Sequence, residues 1–115
     1  MNMMAMDSTD RRDGTAVVTL SGRLDAVEAP ALRAQLTRLL ARGVRCLVVD
    51  LDGVHFIDSA GLAALVRARR DCRAAGGDVF LVRPGSENAM RVFRLTQFDE
   101  VFVMVGARPV PRATP

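Results

Sequence analysis

Short runs of apolar residues predict four strands in this chain. Residues 15–20, 46–51 and Asp78–Val82 contain valine and leucine, and residues 101–105 contain valine, phenylalanine and methionine. Short apolar runs of this kind, bounded by glycine or polar residues, are typical of buried strands. Residues 1–6 are apolar with weak alternation, so they form either a further strand at an edge or a ragged start.

Between the strands, apolar residues recur at helical spacing. A helix is expected to begin near Pro30 and to end at Gly43, with one apolar stripe of Leu32, Leu36, Leu39 and Leu40. A second helix is expected from Ser59 to about Ala75, where two glycines stop it. The third is expected to begin after Ser86, because serine is a preferred N-cap residue.

Strands and helices therefore alternate in the order β(β)αβαβαβ, which indicates one α/β domain with a mostly parallel or mixed sheet. A chain of 115 residues suits a single domain. The polar residues 7–14 are expected to form a turn, and Ser21 and Gly22 to end the strand before them. Periodicity also predicts one shared core, to which we assign Val48, Leu62, Leu65, Val66 and Val79. It does not decide which face of the sheet the helices cover.

The most informative stretch joins the second predicted strand to the second helix. Ser59 is expected at or next to the N-cap, where its hydroxyl can accept a backbone N–H. Small residues follow it, so a partner can approach the hydroxyl closely. The sequence Ile-Asp-Ser-Ala-Gly-Leu at residues 57–62, after an apolar strand, resembles the signature of the anti-anti-sigma factors, the single-domain members of the STAS family.

The resemblance extends over most of the chain, because Gly-x-Leu-Asp at residues 22–25 precedes an amphipathic helix, a buried strand and Asp-Ser-x-Gly-Leu in the family's order. It implies a small mixed sheet with helices packed on one face, βαβαβαβ order and a STAS domain over residues 1–105. Residues 106–115 are Pro-rich and polar, and this composition predicts a flexible tail. The family usually ends the third helix with glycine. Gln97 stands there in this chain, and we expect a remodelled cap, because a left-handed glutamine costs about 1 kcal/mol.

By the same resemblance Ser59 is the phosphorylation site, and the residues that face the partner are Asp25, Asp58, Ser59, Ala60, Gly61 and Leu62. On spacing alone, the favoured interpretation of Ser59 is a plain N-cap serine, and the family pattern reverses that preference. Asp58 either orients the serine for a kinase or is a turn residue, and Gly61 either admits a partner backbone or packs helix against sheet. Many relatives carry a second hydroxyl at the position of Ala60, so its absence here leaves one acceptor in the loop.

The sequence contains little that suggests catalysis. A serine nucleophile needs a neighbouring base, and the only histidine, His55, is interpreted as a buried or half-exposed packing residue. No phosphate-binding loop and no metal-ligand spacing are present, so we predict no catalytic residue, no metal ligand and no cofactor, and not an enzyme. Asp50 and Asp52 are interpreted as structural residues at a strand end.

The amino-acid composition argues against some classes of binding partner. All 16 basic residues are arginines interleaved with acids, the net charge is +3, and there is no Trp or Tyr. Direct nucleic-acid contact is therefore not expected. No signal peptide and no run near the roughly 20 apolar residues needed to cross a bilayer is visible, so we expect a cytoplasmic protein without membrane insertion. Cys46 and Cys72 are expected to be reduced and buried.

The resemblance implies an anti-sigma factor antagonist. The unmodified chain would bind an anti-sigma factor that is also a serine kinase, and so release a sigma factor. Phosphorylation of Ser59 would end that binding, and a phosphatase would restore it. The alternatives are a STAS-like protein-binding subunit of a lipid transport or scaffold complex without phospho-switching, and a small nucleotide-binding or hydrolytic enzyme, which the missing phosphate loop argues against. A weak homodimer is left open.

Overall fold

The computed structural model describes residues 4–10 and 13–106 of the chain. Their elements are β1 (Ala5–Asp10), β2 (Thr15–Leu24), α1 (Ala29–Ala41), β3 (Cys46–Ile57), α2 (Ser59–Ala74), β4 (Asp78–Val82), α3 (Glu87–Thr96), a 3-10 turn (Phe98–Glu100) and β5 (Val103–Val105). Residues 1–3 and all of the expected tail except Gly106 lie outside the described residues.

The strands form one mixed sheet in the order β1-β2-β3-β4-β5. The first pair is antiparallel and the other three pairs are parallel. Each parallel crossover leads to the adjacent strand, and crossovers of this kind are nearly always right-handed. Three successive crossovers in one direction place their helices on the same face. The expectation of a small mixed sheet with helices on one side is therefore confirmed.

The two faces of the sheet differ in burial as this arrangement requires. Val18, Val49 and Leu81 occupy one register row and are fully buried under the helices. The next row, which faces the other way, contains Val17 and Val48, and both are half-buried. The assignment of Val48 to the shared core is therefore wrong, because strand residues alternate between faces.

Strand pairing extends β1, β2 and β3 beyond their predicted ends. Ser21 and Gly22 do not end β2, because they pair with the continuation of β3 across register irregularities. Gly22 adopts a φ of 93°, which lets the chain pass the irregularity without steric cost. At the other edge, β1 contains Asp7 and continues to Asp10, where a turn was expected. The antiparallel partner β2 supplies the hydrogen bonds that override the polar sequence.

The helix boundaries follow the predicted caps closely. Leu32, Leu36 and Leu39 are buried along α1, and Gly43 follows its end with a φ of 95°. Ser86 caps α3 by accepting the Ala89 N–H at 3.4 Å. The stripe predicted the burial of these leucines because α1 packs against α2 and the sheet through one side only.

Two expectations about the helices are wrong, one about the C-cap of α3 and one about the burial of Val66 on α2. The C-cap of α3 is not remodelled: Gln97 is left-handed, with φ 62° and ψ 18°. The Gln97 N–H bonds to the Arg94 carbonyl at 3.1 Å and the Gln97 carbonyl accepts the Glu100 N–H at 3.1 Å, so hydrogen bonds on both sides hold the glutamine in that conformation. Val66, assigned to the core, is 36% exposed, because α2 turns that side away from the sheet.

Candidate functional site at the start of helix α2

A single residue, Asp58, links the end of β3 to α2 and is the cap of the helix. Asp58 has extended backbone angles, φ −116° and ψ −174°, and its Oδ1 accepts the Gly61 N–H at 3.0 Å. Its other oxygen, Oδ2, accepts the Ala26 N–H at 3.1 Å from the loop after β2. Asp58 therefore caps α2 and ties that loop to the helix start, which gives the turn-residue interpretation a concrete form.

Ser59 is the first residue of α2 rather than its cap. Its side chain is exposed, and its hydroxyl makes no hydrogen bond to any residue that the structure describes. The expectation of a hydroxyl that accepts a helix N–H is therefore wrong, because the aspartate before it has taken that role. The consequence is a serine hydroxyl that is both accessible and uncommitted.

Gly61 lies buried where α2 meets the end of β2. A Cβ at this position would overlap the Leu24 carbonyl oxygen and lie 2.9 Å from Leu24 Cγ. The same carbonyl accepts the Asp58 N–H at 3.3 Å. Of the two interpretations of this glycine, the close packing of helix against sheet is the one that the geometry supports. Leu62 is also buried, and Ala60 is half-buried.

The loop after β2 is organised by Asp25. Its Oδ1 accepts the N–H groups of Val27 at 3.1 Å and Glu28 at 3.2 Å, and its Oδ2 accepts Arg23 Nε at 3.2 Å. Partial burial alone would raise the pKa of the Asp25 carboxyl, but these hydrogen bonds outweigh it and lower the pKa from its ordinary value. Asp25 thus lies beside the start of α2, as predicted, and stabilises the loop. Its contact with a partner stays a prediction.

Sequence reasoning missed an apolar side chain in this loop. Val27 is 80% exposed and follows Ala26, whose N–H is held by Asp58. A valine in a loop has no periodicity that would mark it. Its exposure follows from the hydrogen bonds that fix the loop backbone on both sides.

A groove of about 530 Å³ runs from Ser59 along α2 to the 3-10 turn. Its lining is largely apolar and consists of Ser59, Leu62, Ala63, Val66, Arg67, Arg70, Thr96 and Phe98. Thr96 and Phe98 were not predicted as site residues, because no local pattern relates them to a helix 30 residues earlier in the chain. We name this feature the α2 groove.

The other residues considered as candidates for catalysis or metal binding have structural environments that do not form a site. Asp50 is buried and its Oδ1 accepts the Asp52 N–H at 3.0 Å. His55 is exposed rather than packed, because it alternates with the buried Val54 along β3. Within the described residues no cluster of three potential metal ligands occurs.

The two cysteines are free thiols but differ in burial. Cys72 is fully buried, and desolvation, with smaller contributions from Cys46, Asp71 and Asp78, raises its pKa to about 11. Cys46 is only half-buried, so the expectation of two buried cysteines is correct for one of them. None of the helices in the described part of the chain is long and apolar enough to cross a membrane.

The sequence and the fold both have known relatives. An anti-sigma F factor antagonist from Lysinibacillus sphaericus is 29% identical over 83 residues, which are 71% of this chain and 70% of that protein. The crystal structure of an anti-sigma factor antagonist from Mycobacterium paratuberculosis is 30% identical, with a TM-score of 0.75 over 96% of this chain and 89% of that one.

More distant structures share the fold. The anti-sigma factor antagonist SpoIIAA in its unphosphorylated form has a TM-score of 0.76 at 21% identity, over 89% of both chains. The phosphorylated form of the Bacillus SpoIIAA has a TM-score of 0.69, also at 21% identity, over 89% of this chain and 92% of that one. The sequence model of the STAS domain matches residues 8–110. Because that match spans most of the 115 residues, the chain belongs to the STAS domain family.

Proposed function

We propose that this STAS domain is an anti-sigma factor antagonist and that phosphorylation of Ser59 ends its binding to an anti-sigma factor kinase. The relatives from Lysinibacillus and Mycobacterium carry the antagonist name, which supports the first part. The observation that carries the second part is the state of Ser59, whose exposed hydroxyl is uncommitted in a helix that Asp58 already caps.

The chemistry requires nothing of this chain beyond an accessible nucleophile. The Ser59 Oγ attacks the γ-phosphorus of ATP bound to the kinase, the bond to the bridging oxygen of ADP breaks, and a base of the kinase takes the hydroxyl proton. The antagonist is therefore the substrate of the reaction. A phosphatase reverses the modification by hydrolysing the phosphoserine.

The start of α2 is suited to keep its fold when the phosphate is added. The Asp58 and Gly61 N–H groups already have acceptors, whereas those of Ser59 and Ala60 have none among the described residues. Free N–H groups at a helix N-terminus and the positive end of the helix dipole both favour an anion there. Phosphorylation should therefore leave α2 folded, and its effect falls on the surface that a partner contacts.

That surface would change sharply in charge. A phosphate adds about −1.5 to −2 charge at neutral pH, at one end of the α2 groove. Desolvating this charge against a partner is costly, and each 1.4 kcal/mol of penalty weakens binding about tenfold.

The test uses the full chain and the anti-sigma factor kinase encoded in the same genome. Wild type, Ser59→Ala and Ser86→Ala are each incubated with the kinase, Mg²⁺ and ATP, and the sites are read by intact mass and peptide mapping. We expect one phosphoryl group on wild type and on Ser86→Ala, and none on Ser59→Ala. Titration calorimetry should then show phosphorylated wild type binding the kinase at least tenfold more weakly than the unmodified chain.

The matched serine makes the result specific. Ser86 lies at the start of α3 in the same chemical setting, except that its hydroxyl is engaged as a cap. Phosphate on Ser86 or Thr96 with Ser59 bare would contradict the assignment. Tight binding of the kinase with no phosphorylation at all would leave an antagonist without the switch, and absence of binding would contradict the antagonist role itself.

A further inference from the structure

The two helices that pack side by side, α1 and α2, carry a strong excess of positive charge. Their only acidic residue is Asp71, and their basic residues are Arg33, Arg38, Arg67, Arg69, Arg70 and Arg73. These helices therefore contribute +5, although the whole chain has a net charge of only +3. The remainder of the chain is net negative, so the positive charge is concentrated on the helix layer.

Two of these arginines lie in the α2 groove. Arg67 and Arg70 line it together with the apolar side chains of Leu62, Val66 and Phe98. Arg70 is bonded to its neighbour Asp71, with Nη2 3.1 Å from Oδ1, and both side chains are largely exposed. An exposed pair of this kind contributes little and is readily exchanged for another partner.

Arg67 is the more informative of the two. Among the residues that the structure describes, no carboxylate lies within ion-pair distance of its guanidinium. It also lines a second groove of about 400 Å³, between α1 and α2, to which Arg33 contributes. Arg67 therefore stands on the ridge between two grooves, exposed and without an ion-pair partner in the described part of the chain.

We infer that the α2 groove binds an acidic amphipathic segment of the anti-sigma factor, with apolar side chains against Leu62, Val66 and Phe98 and carboxylates against Arg67 and Arg70. This inference rests on the proposed function and specifies the chemistry of its partner. We assign a protein segment to the groove because the lining of the groove is largely apolar. A nucleic acid would instead require a basic face with exposed stacking aromatics, and the aromatic side chain that lines this groove, Phe98, is half-buried.

The same arrangement gives the switch a physical basis. Ser59 lies at one end of the groove and the two arginines line it further along α2. A phosphate on Ser59 would place negative charge in the groove beside the carboxylates of the bound segment, and like charges brought together at an interface oppose association. Release would therefore follow from repulsion of an acidic partner as well as from desolvation of the phosphate.

The experiment measures the dissociation constant of the same anti-sigma factor kinase for charge variants of the full chain, without ATP hydrolysis. Arg67→Gln and Arg70→Gln remove the charge and keep most of the side chain, and each should weaken binding about tenfold. Arg67→Lys keeps the charge and should bind within about threefold of wild type. The matched control is Arg38→Gln on α1, whose guanidinium is bonded to Gln35 outside the groove and which should bind like wild type.

Each of the other possible results contradicts a specific part of the proposal. If both groove variants bind like wild type while phosphorylation of Ser59 still causes release, this inference is wrong and the proposed function stands. An equal loss for Arg38→Gln would show diffuse attraction without a groove. Failure of wild type to bind the kinase would overturn the proposed function and this inference with it. Tighter binding of wild type to a DNA duplex than to the kinase would assign the arginines to a nucleic acid and contradict both.

Discussion

Helices α2 and α3 begin with similar residues arranged in opposite roles. At α3, Ser86 is the cap and its hydroxyl is bonded to the Ala89 N–H. At α2, Asp58 is the cap and Ser59 is the residue after it, with a hydroxyl that makes no hydrogen bond in the described part of the chain. The difference shows that serine at a helix start becomes available for modification when the preceding residue has already satisfied the helix.

The two helix starts also differ in how they are joined to the sheet. The start of α2 is joined to β2 and the loop after it by the Asp58 N–H on the Leu24 carbonyl, the Ala26 N–H on Asp58 and the close packing of Gly61 against Leu24. The start of α3 is joined to β3 by two hydrogen bonds, from the Gly85 N–H to the Asp52 carbonyl at 3.2 Å and from Asn88 Nδ2 to the His55 carbonyl at 3.3 Å. The start of α2 is therefore distinguished by a buried glycine that packs against a strand backbone.

The largest expected effect tests the packing of Gly61 against Leu24. Gly61→Ala places a methyl group on the Leu24 carbonyl, and a backbone atom cannot move aside cheaply, so we expect a loss of about 3 kcal/mol in unfolding free energy. Denaturant titration measures it. Gly43→Ala is the control, because that glycine has open space around it and only a left-handed φ of 95°, so its loss should be about 1 kcal/mol. Equal losses of unfolding free energy for Gly61→Ala and Gly43→Ala would show that overlap with the Leu24 carbonyl does not destabilise the fold.

The double role of Asp58 predicts the next effect. Asp58→Ala removes the cap and leaves the Ala26 N–H without its acceptor, so the loss should be about 2 kcal/mol. Asp58→Ser retains a short capping oxygen but cannot serve both N–H groups, and it should fall between wild type and the alanine variant. If serine restores full stability, the bond to the loop contributes nothing.

The paired serines give the direct test of the comparison. Ser86→Ala should lower the unfolding free energy by about 1 kcal/mol, because a cap is lost. Ser59→Ala should lower it by less than about 0.5 kcal/mol, because its hydroxyl stabilises nothing in the fold. Thermal and denaturant unfolding of both variants under one set of conditions decides this. A larger loss of unfolding free energy for Ser59→Ala than for Ser86→Ala would show that Ser59 caps α2 and that its hydroxyl is not free of hydrogen bonds.

The smallest effect concerns the other ends of the same two helices. After α2 the left-handed residue is Gly76, with φ 93°, whereas at α3 it is Gln97, with φ 62°. Gln97→Gly should raise the unfolding free energy by about 0.5 kcal/mol, because relief of the strain is partly offset by the greater freedom of glycine in the unfolded chain. A loss on this substitution would mean that the glutamine side chain stabilises the turn.

The sequence predicted those parts of the molecule that depend on local pattern. The bounds of β4, the leucine stripe of α1 and the serine cap of α3 follow from residues within one element. The extension of β3 to Ile57 was not predicted, because it depends on pairing with β2 across residues that usually end a strand. Pairing partners distant in sequence decide such cases, and no single element contains that information.

The candidate site was likewise predicted only in part. The motif identified Asp58, Ser59 and Gly61, but their division of roles was beyond it, since both aspartate and serine cap helices and only the backbone angles distinguish the cap from the first helical residue. The groove was missed for a different reason. It joins α2 to Phe98 through tertiary packing, which periodicity does not describe.

The bond from Ala26 to Asp58 also supplies a natural probe of the site. Ala26 is exposed, and its N–H is held by a carboxylate 32 residues away in sequence. In a surface loop an amide without such an acceptor exchanges its hydrogen with solvent rapidly, so the exchange rate at Ala26 reports how long Asp58 keeps its capping position. A change at Ser59 that disturbs the aspartate would appear as faster deuterium uptake at Ala26 while the core amides stay protected. Hydrogen exchange at one backbone amide would thus report on the start of α2 in solution without an attached probe.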